Sequence, residues 1–167
     1  MNTIEDWVSY YLQLRLWVFP YNIEEKPWLF WKALKDNKKY EELSTNWSWS
    51  SVQGIKLIVG KKGIRVLEVG NKLLLKKAMT LLGLPDDYPW IIYQRNKYGI
   101  VLDTPGVSKE TKGVCNRSFK NILILWDGYY VLPCIGIPVY FYRNRIPTGH
   151  PKQIKDELFL KSIELLL

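Results

Sequence analysis

The stretch ILILWDGYYVLPCIG, residues 122–136, decides how this chain is expected to fold. Four aliphatic residues lead into Trp126, Asp127 and Gly128, and a second apolar run ends at Pro133. Asp-Gly between two such runs is typical of a tight turn between antiparallel strands. The stretch therefore predicts a β-hairpin whose entering strand carries only aliphatic side chains.

Length and composition indicate one folded domain. The 167 residues, of which 47% are hydrophobic and 14% aromatic, predict a single domain over 1–167 with a substantial core. No apolar run approaches the roughly 18 residues that a membrane span requires, so we expect no membrane partner. The opening residues MNTIEDW carry acids where a secretory signal carries bases, and Cys115 and Cys134 are the only cysteines. We therefore expect reduced thiols and a cytoplasmic location.

The positive charge of the chain is concentrated in its middle. The formal net charge is +8, and residues 54–149 hold 15 lysines and arginines against 6 acids, whereas the flanking parts are close to neutral. A basic segment interleaved with aromatic residues favours a polyanionic partner, DNA or RNA. A lysine-rich surface that only confers solubility is the alternative explanation.

Apolar spacing divides the chain into helices and strands. Helical spacing predicts an N-terminal helix capped by Thr3, a second helix opening at Pro27, a third over 71–84 and a last one starting at His150-Pro151. Polar residues predict connections at 43–51 and at 104–118, the latter a surface loop. Besides the two strands of the opening stretch, apolar runs predict strands at 16–19 (ended by Pro20), 54–60, 63–70, 88–94, 98–103 and 137–142.

Short polar turns between these runs predict how the strands pair. We expect 54–60 and 63–70 to form a hairpin across Lys61-Lys62, and 88–94 and 98–103 to form a second hairpin. Strand pairs with helices between them predict an α+β domain with a mixed, largely antiparallel sheet covered by helices.

Few residues of this chain could support catalysis. His150 is the only histidine, and at a predicted helix start an exposed or capping role is the ordinary expectation. Glu68 follows an apolar strand, where a carboxylate can bind a hard cation, but Mg²⁺ at a phosphoryl-transfer site usually needs at least two carboxylates. Asp103 ends a strand and Asp127 occupies a turn. The sequence therefore predicts no catalytic residue, and we expect no cofactor.

Basic residues at predicted strand ends and turns are the candidates for nucleic-acid binding. They could line one edge of the sheet as a track for phosphates. Trp47 and Trp49, in a polar segment, could stack on bases, although tryptophans are more often core anchors. The candidate track consists of Lys61, Lys62, Arg65, Arg95, Lys97, Arg143 and Arg145.

The order of these blocks resembles the N-terminal primase-polymerase domain of bifunctional DNA primase/polymerases, a branch of the archaeo-eukaryotic primase superfamily. The resemblance covers about residues 16–150, and WDGYYVLP is its most specific piece. It implies a primase-polymerase-like fold and a role in DNA replication, with DNA and replication proteins as partners and a mobile-element origin. The similar blocks are LWVFPYNIEEKPWLFW, GIKLIVGKKGIRVLEVG, YPWIIYQRNKYGIVLD and ILILWDGYYVLPCIGIPVYFYRNRIP.

This chain departs from the family at the residues that carry the chemistry. The resemblance implies two metal-binding acids at the positions of Glu68 and Gly70, and only the first is an acid. It also implies a phosphate-gripping histidine within 94–100 and a later acid within 122–125, and the chain has neither. A lone carboxylate cannot support a two-metal mechanism. The resemblance therefore implies a degenerate, inactive member in which Glu68 is a remnant of the metal site.

Two alternatives remain open at this point. The first is an active DNA primase or polymerase that uses Mg²⁺ or Mn²⁺ bound by Glu68 together with Asp103 or Asp127. The second is a protein-interaction domain whose basic surface has no nucleic-acid role.

Overall fold

The computed structural model describes residues 1–21, 33, 36–60, 63–105 and 117–167. Within these ranges the helices are α1 (Ile4–Gln13), α2 (Asn37–Asn46), α3 (Lys72–Leu81) and α4 (Asp156–Leu166). Single 3₁₀ turns lie at Trp49–Ser51 and Tyr142–Asn144. The strands are β1 (Val18–Tyr21), β2 (Gly54–Val59), β3 (Ile64–Val69), β4 (Ile91–Gln94), β5 (Lys97–Asp103), β6 (Arg117–Phe119), β7 (Ile122–Leu125), β8 (Gly128–Leu132) and β9 (Tyr140–Phe141).

The strands form two antiparallel sheets, which confirms the predicted α+β class and antiparallel pairing. The smaller sheet has the order β1-β2-β8, and the larger has the order β6-β7-β3-β5-β4-β9. β3 lies inside the larger sheet, between β5 and β7, and every one of its residues is buried. Four of its six residues are apolar, and the other two, Arg65 and Glu68, are buried charged side chains.

Two predicted hairpins are wrong, because the chain changes sheet at both turns. β2 pairs with β1 and β8, whereas β3 pairs with β5 and β7. β7 likewise belongs to the larger sheet and β8 to the smaller. A two-residue type I′ turn needs two residues with positive φ, and at Asp127-Gly128 only the glycine has one. The two segments at which the chain passes from one sheet to the other are in contact, since a Cβ on Gly60 (φ +96°) would lie 3.1 Å from Asp127 Cα.

The hairpin between β4 and β5 is confirmed. Arg95 (φ 51°) and Asn96 (φ 61°) adopt the left-handed conformation that a type I′ turn requires at both central positions. Gln94 pairs with Lys97, which is therefore the first residue of β5. Local turn chemistry is sufficient to set this hairpin.

Several element boundaries differ from the prediction. Pro20 does not end β1 but lies within it, opposite Ile55, as an edge strand allows. The strand predicted over 137–142 is reduced to the two residues of β9, and residues 117–118 at the end of the predicted loop belong to β6. The last helix begins at Asp156 rather than at His150-Pro151.

Other predictions fall partly or wholly outside the described residues. The start of the helix expected from Pro27 lies outside the described residues. Residues 106–116 of the predicted loop, which include Cys115, lie outside them as well. The connection expected at 43–51 instead continues α2 to Asn46 and then forms a 3₁₀ turn.

Aromatic side chains fasten the helices to the sheets. Tyr11 of α1 is fully buried, and its hydroxyl donates to the Pro133 carbonyl. Tyr40 of α2 bonds both backbone groups of Val18 and stacks on Trp17 with ring centroids 4.2 Å apart. No helix in the described ranges is long and apolar enough to span a membrane.

The tryptophans of the polar segment belong to this core rather than to a stacking surface. Trp49 is buried and donates to the Ser44 carbonyl at 2.7 Å. Trp47 is partly buried and packs against the same core.

Candidate nucleic-acid interface

Glu68 on β3 is a buried carboxylate held by two side chains. The Tyr130 hydroxyl donates to Glu68 Oε2 at 2.6 Å, and Lys97 Nζ lies 3.8 Å from Oε1. Burial, and secondarily the charge of Glu68, raise the pKa of the Tyr130 phenol, which therefore keeps its proton and remains a donor. The carboxylate is thus satisfied by groups of the protein itself.

Gly99 makes this contact possible. It lies on β5 directly opposite Glu68, and Tyr130 reaches over it from the smaller sheet. A Cβ on Gly99 would lie 2.7 Å from Cζ and 2.8 Å from Cε2 of Tyr130, closer than packed atoms approach. A glycine inside an apolar strand indicates a close approach of another group, so Gly99 is a sequence signal for such a contact at this point of β5, although it does not identify Tyr130.

The positions next to Glu68 carry no second carboxylate. Leu123 of β7 pairs with Glu68, so the strand on which the resemblance implies a later acid does lie beside it, with an aliphatic side chain at that point. A Cβ on Gly70 would lie 2.9 Å from the Asn121 Cβ, so an acid there would force a shift. No group of three His, Cys, Asp or Glu side chains that could hold a metal occurs within the described ranges.

The two acids of the metal-dependent alternative differ in their location. Asp103 pairs with Ile64, at the end of β3 far from Glu68. Asp127 lines the same cleft as Glu68. Only Asp127 could therefore act together with Glu68.

A cleft of about 590 Å³ opens in front of Glu68, between the edge strand β8 and the β4–β5 turn. The Gln94 amide joins its two sides by donating to the Val131 carbonyl at 3.4 Å. Leu123, Leu125 and Val131 are its apolar part. The remaining side chains that line it are polar or aromatic: Tyr21, Arg95, Lys97, Asp127, Tyr129 and Tyr130.

Beside this cleft, Lys56 of the smaller sheet contacts the rings of Tyr21 and Tyr129, which line it. Lys56 Nζ lies 4.0 Å from the centroid of Tyr129, 4.8 Å from that of Tyr21 and 5.5 Å from that of Phe19. Cation–π contacts of this length restrain both partners. Tyr129 nevertheless stays 50% exposed, so part of its ring is accessible to a ligand.

The structure divides the predicted basic track rather than assembling it. Arg95 and Lys97 line the Glu68 cleft. β9 runs antiparallel to β4, so the chain after Phe141 leads away from the β4–β5 turn. Arg145 donates to the Asp86 carbonyl at 3.0 Å, and Arg143 lines a different pocket.

Arg65 does not belong to a surface track, contrary to the expectation from its position near a strand end. It is 3% exposed, donates to the Ile64 carbonyl at 2.9 Å and lies 4.4 Å from the ring centroid of Trp126. Burial lowers the pKa of its guanidinium, while three nearby aspartates, Asp156, Asp103 and Asp127, act in the opposite direction. Lys61 and Lys62 lie outside the described residues.

His150 has a structural role in place of the exposed or capping role expected. Its Nδ1 lies 2.9 Å from the Leu14 carbonyl and its Nε2 lies 2.9 Å from Asp103 Oδ2. The ring thereby joins the end of α1 to the end of β5. Both ring nitrogens face protein acceptors, so neither is available as a base for a substrate.

Comparison of the chain with protein-family models and with curated proteins finds no match. The resemblance to primase-polymerase domains therefore stays a prediction, and the function is inferred from the geometry described above.

Replacing Tyr130 with phenylalanine is expected to lower the free energy of unfolding by about 1.5–3 kcal/mol, because Glu68 would stay buried without its hydroxyl donor. Urea denaturation measures this loss. Tyr129→Phe makes the same chemical change on the half-exposed neighbour and should cost less than about 0.5 kcal/mol. Equal losses of unfolding free energy in the two variants would show that the hydrogen bond to Glu68 does not stabilise the fold more than the hydroxyl of Tyr129 does.

Proposed function

We propose that this chain is a nucleic-acid-binding domain linked to DNA replication, with a primase-polymerase-like fold and no polymerase activity. The observation that carries the proposal is the environment of Glu68. Tyr130 and Lys97 contact the carboxylate, and its partner on β7 is Leu123. The cleft around it is lined by Arg95, Lys97 and tyrosine rings, together with Asp127. A cytoplasmic location and replication proteins as partners belong to the same proposal.

Single-stranded nucleic acid is the ligand that this cleft favours. Arg95 in the β4–β5 turn and Lys97 at the start of β5 are both exposed, so both can contact phosphates. The Lys97 side chain is 51% exposed, so its ammonium can contact a phosphate while it stays 3.8 Å from Glu68 Oε1. Tyr129 is half exposed, so a base can stack on the part of its ring that Lys56 does not cover, and stacking of this kind tolerates any sequence.

Catalysis by two metal ions is not supported by the same geometry. A metal at Glu68 would compete with the Tyr130 hydroxyl and the Lys97 ammonium for the two carboxylate oxygens. Asp127 is the other carboxylate among the described residues that line the cleft, and it lies on the crossing between the two sheets. The residues of the cleft therefore favour binding of single-stranded nucleic acid over phosphoryl transfer.

Fluorescence anisotropy of a labelled single-stranded oligonucleotide tests the proposal. We expect saturable binding that weakens by about tenfold or more as the salt concentration rises from about 50 to about 200 mM, because phosphate contacts release counterions. The Arg95→Gln/Lys97→Gln double variant should weaken binding about fivefold or more, and Tyr129→Leu should do the same through lost stacking.

The matched control removes two positive charges elsewhere. Lys155→Gln/Lys161→Gln changes exposed lysines at and on α4, the helix that packs on Trp126 and Leu81 rather than on the cleft. We expect less than about twofold weakening from this control. If it weakens binding as much as the Arg95/Lys97 variant, the attraction is a general charge effect. A flat titration at low salt would favour the protein-interaction alternative.

A further inference from the structure

A second basic pocket lies on the face of the larger sheet opposite to Glu68. Its volume is about 340 Å³, and it lies between the first two turns of α3 and the 3₁₀ turn that follows β9. Ile92 pairs with Gly99, and Gly99 pairs with Glu68, so these three residues lie on the same face of the sheet. Successive residues of a strand alternate between the faces, so Ile91 lies on the other face. Ile91 lines this pocket, which is therefore separate from the Glu68 cleft.

Three exposed cations line the pocket: Lys72, Lys76 and Arg143. Asp86 is the only acid among the described residues that line it, and none of the three cations forms an ion pair with a described residue. The pocket therefore has an excess of positive charge that the protein does not neutralise there.

The positions of the lysines on α3 are electrostatically unfavourable in the absence of a bound anion. Lys72 and Lys76 are four residues apart on α3, a spacing at which like charges repel. The first turn of α3 holds Lys72 and no acid, although a helix N-terminus favours negative charge. A bound anion would relieve both effects.

Arg143 lines the pocket from a turn with an unusual backbone conformation. Arg143 (φ 56°) and Asn144 (φ 56°) are consecutive non-glycine residues in the left-handed region, a conformation that such residues adopt at some energetic cost. The Arg143 guanidinium lies 5.1 Å from the ring centroid of Tyr142. Arg145, from the same turn, is fixed by its bond to the Asp86 carbonyl.

The floor of the pocket is apolar. Leu75, Met79 and Ile91 line it and are buried. An inorganic anion between the cations would leave this floor uncovered, whereas an ester with an apolar body would cover it. The combination of a cationic rim and an apolar floor of this size is typical of a small-molecule site.

We propose that this pocket binds a small organic phosphate monoester, with the phosphate between Lys72, Lys76 and Arg143 and the carbon body on Leu75, Met79 and Ile91. The proposal does not depend on nucleic-acid binding in the Glu68 cleft. Phenyl phosphate is a suitable probe, because it joins a phosphate monoester to an apolar ring.

Isothermal titration calorimetry in a phosphate-free buffer at low salt tests the site. We expect saturable binding of phenyl phosphate, about fivefold or more tighter than that of inorganic phosphate. Lys76→Gln and Arg143→Asn should each weaken it about fivefold or more, and asparagine keeps the left-handed backbone favourable. Lys77→Gln, at an exposed helix position that does not line the pocket, should change the affinity less than about twofold.

Three results would overturn the proposal: no saturable binding of phenyl phosphate, equal affinity for inorganic phosphate, or equal weakening by Lys77→Gln. The pocket variants are also titrated with single-stranded DNA that lacks terminal phosphates. Unchanged DNA binding supports a separate small-molecule site. A loss of DNA affinity as large as the loss for phenyl phosphate would make the pocket a nucleic-acid contact instead and would also overturn the proposal.

Discussion

Replacing Gly99 with alanine is expected to lower the free energy of unfolding by about 1–3 kcal/mol, because the new methyl group would overlap the ring of Tyr130. Gly99 has no positive φ, so the cost comes from packing and not from the backbone. The ring cannot move away freely, since it is buried and its hydroxyl is bound to Glu68. Chemical denaturation of the variant measures the loss.

Two further variants show whether the overlap with Tyr130 is the cause. Gly149→Ala is the matched control, because a Cβ there would meet nothing within 4 Å, and it should change the stability by less than about 0.5 kcal/mol. Tyr130→Leu removes the ring, so adding Gly99→Ala to it should cost little more than Tyr130→Leu alone. If Gly99→Ala is as mild as Gly149→Ala, the ring does not occupy the space above Gly99.

Replacing His150 with alanine is expected to cost about 2 kcal/mol, because it leaves the Asp103 carboxylate buried without its partner. Asp103 Oδ1 already has no hydrogen-bond partner among the described residues, so the hydrogen bond of this carboxylate to the imidazole is made through Oδ2, while Arg65 acts on it through its charge. The cost stays below that of a fully buried ion pair because the imidazole is 30% exposed.

A double-mutant cycle with Asp103→Ala separates this contact from simple loss of packing. We expect a coupling energy of about 1 kcal/mol or more between the two positions in urea denaturation. Gln153→Ala, an exposed neighbour, should lie within about 0.5 kcal/mol of the unmodified chain. A coupling energy near zero would show that the 2.9 Å contact does not stabilise the fold.

Local sequence patterns predict where the strands of this fold lie better than they predict which strands pair with each other. The β4–β5 hairpin could be predicted because a short polar turn joins two apolar runs that pair with each other. The partners of β2 and β8 could not, because an apolar run shows that a strand is buried and not which sheet buries it. The sequence therefore predicts a hairpin at the β2–β3 and β7–β8 turns, where the chain instead passes from one sheet to the other.

The candidate site was predictable only in part, for the same reason. The strand-end position of Glu68 and the aliphatic sequence of β7 could be assigned from the chain alone. The partner of Glu68 could not, because Tyr130 is 62 residues away and reaches it from the other sheet. The position of Arg65 near a strand end suggested exposure, yet Trp126 and distant aspartates bury it and surround its charge.

The most direct test is a titration of labelled single-stranded DNA in EDTA and again in Mg²⁺ or Mn²⁺, with the unmodified chain and with Glu68→Gln. We expect saturable binding in EDTA, equal or slightly weaker binding with the divalent ion because of screening, and binding at least as tight in Glu68→Gln. Glutamine keeps an acceptor for Tyr130 and removes a negative charge from the cleft. Binding that appears only with the divalent ion and disappears in Glu68→Gln would contradict this expectation and restore Glu68 as a metal ligand. A flat titration in EDTA would contradict nucleic-acid binding by the cleft.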